Sequence, residues 1–238
     1  ALLGRSDEAI EMYRNALRLD PNQASAAMQL GLLYEELGRP LEALRELEQA
    51  VRLTRDPEAR LSLASALWGV GRAREAIAAL RELVGAHPGW PTAANNLAWM
   101  LATSADPTLR DAERAVALAE AQQRAGSGDL DTLAAALAAA GRFRDAITAA
   151  DSAHSAARAA GQPALADEIL ARRARYAAAE PFIDPVSAPR ARGSAGPAPA
   201  APGLVRPAPV GCEARQLRPY FPQAAESVRS LETPSGHD

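Results

Sequence analysis

GRAREAI (residues 71–77) has three relatives in the same chain: GRSDEAI from Gly4, GRPLEAL from Gly38 and GRFRDAI from Gly141. Each reads glycine, arginine, two variable positions, an acid, alanine and an aliphatic residue. The glycines lie 34, 33 and 70 residues apart, the last close to twice 35, so a further unit with a disguised turn occupies 91–126. Self-similarity at this period marks supersecondary units that stack on one another.

Working outward from the glycine, the upstream residues carry a second pattern. MQLGLLYEELG (28–38) places Leu30, Gly31 and Tyr34 where LSLASALWGVG (61–71) places Leu63, Ala64 and Leu67, and DTLAAALAAAG (131–141) places Leu133, Ala134 and Leu137. Large, small, large at this spacing is a helix face with a notch for a neighbour. Each unit is therefore a helix A, a tight turn at the glycine and a helix B. The glycine supplies the positive φ that helix C-termini commonly need. The alanine of EA or DA (Ala9, Ala43, Ala76, Ala146) sits one turn into helix B, where a small side chain lets the two helices approach. Helix B continues through Tyr13, Leu47, Leu80 and Ala150, and DPN (20–22), RDP (55–57) and HPG (87–89) close the units with a proline that stops one helix and starts the next.

These residues, in register across at least four units, resemble the tetratricopeptide repeat family. The resemblance implies an all-α fold, a right-handed superhelical solenoid of antiparallel helix pairs. It divides the chain into a truncated first repeat with helix B only (1–23), repeats at 24–56 and 57–90, a divergent repeat (91–126), a repeat at 127–160, a capping helix (161–180) and a Pro/Ala-rich disordered tail (181–238). In the divergent repeat TSADPTLRD replaces the tight turn; Asp106 and Pro107 end helix A, and Thr108 or Asp111 caps helix B. In the capping helix Leu165, Ile169 and Tyr176 face inward, while Asp167, Glu168 and the arginines 172, 173 and 175 form a solvated face. Eleven of the eighteen prolines fall after residue 180, a composition with too little apolar surface to offset its conformational entropy. Within that tail PYFPQAAESVRSLE (219–232) restores Phe221, Val228 and Leu231 at near-helical spacing, a segment that could fold on a partner.

At the other end, the first unit lacks helix A, so Ile10, Tyr13 and Leu17 would be left in water at about 1.5–3 kcal/mol each. This predicts that the natural protein continues upstream, and it offers self-association through the severed repeat as one route to a homo-oligomer.

Composition narrows the function. All 26 basic residues are arginine, a usage that points to a GC-rich, bacterial coding sequence, and the net charge of -3 is interleaved along the helices. No basic footprint for nucleic acid or anionic lipid is visible. A single cysteine, Cys212, excludes an internal disulfide, and no run of about 18 apolar residues exists to span a membrane. His87, His154 and His237 share no ligand spacing, and no hydrolytic triad, metal box or phosphate loop is present, so neither catalysis nor a cofactor is expected of this segment. The compartment, cytoplasmic or periplasmic, is left open.

What remains is the concave face of the stacked A helices. The family geometry implies that Met28, Gln29 and Leu32, then Ser62, Ser65 and Trp68, then Asn95, Asn96 and Trp99, then Thr132 point into this groove. Gln29, Ser62, Asn96 and Thr132 form a row of uncharged hydrogen-bonding groups; protein O-linked N-acetylglucosamine transferases hold peptide backbone with asparagines at this place, a type matched here only by Asn96. Trp68 and Trp99 are candidate apolar anchors, since tryptophan dominates many interfaces. The groove lacks the basic residues of the clamp with which chaperone-binding members hold a C-terminal carboxylate. The expected function is a protein-interaction scaffold that binds an extended peptide or partner helix. The alternative is the non-catalytic arm of a larger enzyme, such as a group transferase, that positions a protein substrate or dimerises.

Overall fold

The computed structural model describes residues 2–188, with side chains from Ser6 onward, and these belong to one compact unit. The described residues form helices and no strand. In order these are α1 (Leu2–Leu19), α2 (Ala24–Glu36), α3 (Pro40–Leu53), α4 (Pro57–Gly69), α5 (Ala73–Ala86), α6 (Pro91–Thr103), α7 (Ala112–Arg124), α8 (Leu130–Ala139), α9 (Phe143–Ala159) and α10 (Pro163–Ala177). Successive helices pack on one another, and α6 also packs on α8 and α2 on α4, so the A helices stack in chain order. This is an all-α solenoid.

The turn glycines do what their spacing requires. Gly38, Gly71 and Gly141 have φ of 68°, 81° and 74°. At each, the N–H of the following arginine donates to the carbonyl five residues back: Arg39 to Tyr34 (2.8 Å), Arg72 to Leu67 (2.9 Å) and Arg142 to Leu137 (2.8 Å). Gly126 and Gly161 close α7 and α9 in the same way, at φ of 74° and 70°. Gly4 differs from the expectation: it lies inside α1.

The arginine and the acid of the motif also have a physical reason. Arg39 pairs with Glu42, Arg72 with Glu75 and Arg142 with Asp145, each three residues on, across the first turn of helix B. Arg72 and Arg142 reach further, to Glu48 on α3 (2.9 Å) and Glu120 on α7 (3.2 Å), so one guanidinium ties a helix B to its predecessor. These pairs are exposed, and solvent screening leaves them little weight in stability. The alanine contributes more, because Ala43, Ala76 and Ala146 are completely buried where the two helices of a unit meet.

Two expectations at the ends are corrected. Ile10 is not left in water; it is buried with Leu30, Tyr34 and Ala43, and Tyr13 and Leu17 pack beside it, because α1 docks on α2. The tail does not begin at residue 181: residues 181–188 pack back onto the solenoid, with Asp184, Val186 and Ser187 buried, and Val186 is part of the main core. The remainder of the tail, including 219–232, Cys212 and His237, lies outside the described residues. The divergent repeat ends α6 at Thr103, inserts a 3-10 turn at Pro107–Leu109 and caps α7 with Asp111, which accepts from the Arg114 N–H at 3.0 Å.

Candidate functional site

The candidate groove residues all lie on A helices. Met28, Gln29 and Leu32 come from α2, Ser62, Ser65 and Trp68 from α4, Asn95, Asn96 and Trp99 from α6, and Thr132 from α8. All are buried except Met28, which is half-buried. Two of the hydroxyls are turned inward on their own helix: Ser62 donates to the Glu58 carbonyl (3.0 Å) and Ser65 to the Leu61 carbonyl (3.2 Å). The Thr132 hydroxyl is fully buried and has no partner among the described residues.

Trp68 and Trp99 converge, and a carboxylate joins them. Both indole N–H groups donate to Asp184 Oδ2, Trp68 at 3.0 Å and Trp99 at 3.3 Å. The other oxygen, Asp184 Oδ1, accepts the Val186 N–H (2.9 Å), closing a 3-10 turn at Pro185–Ser187. Main-chain bonds fix the rest. The Asp184 N–H donates to the Thr103 carbonyl at the end of α6 (2.8 Å), and the Ala105 N–H donates to Ser187 Oγ (2.9 Å). Residues 181–188 thus form a strap across α4 and α6. Its carboxylate is entirely out of solvent and is matched to two indole donors and a turn N–H, which offset the cost of burying so polar a group.

The strap continues onto α10. Phe182 packs on Trp99 with ring centroids 5.8 Å apart, and the Arg172 guanidinium lies 5.7 Å from the Trp99 ring and 5.6 Å from that of Phe182. Arg172 is not on a solvated face. It is 3% exposed and makes a two-pronged bond to Asp131 of α8, at 3.1 and 2.7 Å. Arg175 is exposed and Arg173, half-buried, pairs with Asp151, so only Arg172 departs from the expectation. Its position three residues after Ile169 and four before Tyr176 was the available signal, because those two define the buried face of α10.

The electrostatics of this end are unusual. Burial, then the neighbouring Asp131, raises the Asp129 carboxyl from its ordinary value to about 7. Burial raises Asp131 as well, against the opposing pull of Arg172. Tyr176, buried beside them, is held above the ordinary phenol range, chiefly by desolvation. Asp131 and Tyr176 are locked in packing, and the described residues contain no cluster of three or more His, Cys, Asp or Glu that could hold a metal. No described helix is long and apolar enough to cross a membrane.

The comparisons with known proteins agree with the repeat. A family model described as "TPR repeat" matches residues 2–38, and two described as "Tetratricopeptide repeat" match 24–57 and 61–129. The Photosystem I assembly protein Ycf3 of Synechococcus sp. (strain CC9605) is 45% identical over 49 residues, which are 21% of this chain and 28% of that protein. The match therefore spans less than a third of that relative's length. Among solved structures, the MamA protein superposes with a TM-score of 0.53 at 22% identity, covering 66% of this chain and 85% of that one, a likeness of fold. An O-GlcNAc transferase mutant from Thermobaculum terrenum is similar at 25% identity and a TM-score of 0.44, over 51% of this chain and 24% of its own.

Proposed function

We propose, starting from a chain that belongs to the tetratricopeptide-repeat family and is a scaffold for protein interaction, that the face of α2, α4, α6 and α8 holds an extended peptide of a partner. The strap carries this reading. It supports the reading because α4 and α6 already hold residues 181–188 of the chain itself, through one main-chain bond to the Thr103 carbonyl and side-chain contacts at Trp68 and Trp99. A rigid surface that satisfies a peptide backbone and presents buried aromatics pays little ordering cost on binding.

Panning a displayed library of random linear peptides on the full chain tests the reading. The selected peptides are expected to lose roughly tenfold or more in affinity for Met28→Arg, which alters a half-buried groove position, and to bind Leu41→Arg as they bind the parent, since Leu41 is exposed on α3. Peptides that ignore Met28→Arg, or a library that yields none, would contradict it.

A further inference from the structure

The strap is more than evidence that a peptide fits, because its contacts specify one. We infer that residues 181–188 are an internal copy of the ligand, and that the site at Trp68 and Trp99 is a receptor for a linear peptide of the pattern aromatic–x–Asp–Pro on a partner protein, which enters by displacing the strap. The inference rests on the peptide-groove reading and deepens it.

The contacts of Phe182 and Asp184 use groups that any such peptide supplies, and Val186 and Ser187 add a buried side chain and an acceptor for the Ala105 N–H. The aspartate N–H meets the Thr103 carbonyl, and its carboxylate meets two indole donors on one oxygen while the other closes a turn on the N–H two residues on. That turn needs the short aspartate side chain, and Pro185 sets the backbone angle at its first position. An aromatic ring two residues before the aspartate lies on Trp99 beneath Arg172. Trp68 and Trp99 can offer only donors here, so an acceptor at this point is obligatory and an apolar residue would strand two buried N–H groups.

The strap is held least tightly at its upstream end. Pro181, Phe182 and Ile183 are only half-buried. The chain enters the strap from α10 through Ala179 at φ 57°, where the N–H of Glu180 closes the turn onto the Arg175 carbonyl (2.9 Å). Every other turn of this kind among the described residues has glycine at that position. An L-residue there holds the junction between α10 and the strap in a disfavoured conformation. A second copy of the chain offers the same peptide at micromolar concentration against a strap tethered at an effective concentration on the order of millimolar, so the occupant is a partner with a better-fitting peptide.

The probe is a fluorescein-labelled synthetic peptide with the sequence of residues 180–188, EPFIDPVSA. Added to the full chain carrying Asp184→Ala, it is expected to bind roughly tenfold or more tighter than to the unaltered chain, whose strap competes. The same peptide with alanine for its aspartate is expected not to bind. Should Asp184→Ala not fold, the unaltered, isotope-labelled chain is titrated with unlabelled peptide in excess, and exchange of its own Asp184 N–H is expected to accelerate. Equal binding to both chains, binding of the alanine peptide, unaltered exchange at Asp184, or a dimer held by exchanged straps would each overturn the inference. If random peptides are selected on the groove but EPFIDPVSA does not bind, the specificity falls and the groove reading stands; if neither binds, both fall.

Discussion

At Gly31 one missing methyl decides how closely α2 and α3 approach. A Cβ there would stand 2.7 Å from Leu47 Cγ and 3.3 Å from the Ala43 carbonyl oxygen. The backbone oxygen cannot move aside as a flexible side chain would. Gly31→Ala is therefore expected to destabilise by about 1–3 kcal/mol in urea denaturation, despite alanine's better helix propensity. Ala179 is the opposite case. With φ at 57° it occupies a place suited to glycine, and Ala179→Gly is expected to raise stability by about 0.5–1 kcal/mol, read as a higher denaturation midpoint. Asp129 gives a pH dependence. Its carboxyl holds a proton more tightly in the fold than in the unfolded chain, so the native state binds more protons between the ordinary aspartate range and about 7. Its contribution to stability is present below that window and is lost as pH rises through it. Asp129→Asn keeps a cap for the Asp131 N–H and is expected to remove this decline; an unaltered pH profile in that variant would show that the carboxyl titrates normally.

At the scale of elements, α10 and the strap act together through Arg172. Arg172→Ala strands the buried Asp131 and is expected to cost about 3–5 kcal/mol. The double variant Asp131→Leu with Arg172→Met, which replaces the pair with apolar volume, is expected to lose much less, and equal losses would show that packing, not the ion pair, dominates. The element-level motif was legible because its parts recur: three of the four turn glycines, the buried alanines and the order of the helices follow from register alone. Gly161 escaped because the residues after it lack the arginine and acid that marked the others, although its backbone role is the same. Arg172 escaped because its charge outweighed its place on the Ile169 and Tyr176 face.

The strap was the part that composition concealed. Residues 181–188 sit at the edge of a proline-rich stretch, and average composition cannot register that a single carboxylate has two indoles waiting 116 and 85 residues away in the chain. A local signal did exist. Asp184–Pro185 repeats Asp106–Pro107, and both aspartates accept the N–H two residues on at 2.9 Å, to close a 3-10 turn. The repeat assigned the groove residues to the A helices, yet the complete burial of Trp68 and Trp99 was not foreseeable without knowing that residues 181–188 cover them. The peptide site depends on that cover, and the three indoles report it separately. In a proton–nitrogen spectrum of the full chain, the Trp68 and Trp99 indole N–H groups are expected to exchange slowly with solvent and to shift and speed up in Asp184→Ala, while that of half-buried Trp90 stays the same in both. Trp68 and Trp99 indoles that exchange as fast as Trp90 and ignore the substitution would contradict it.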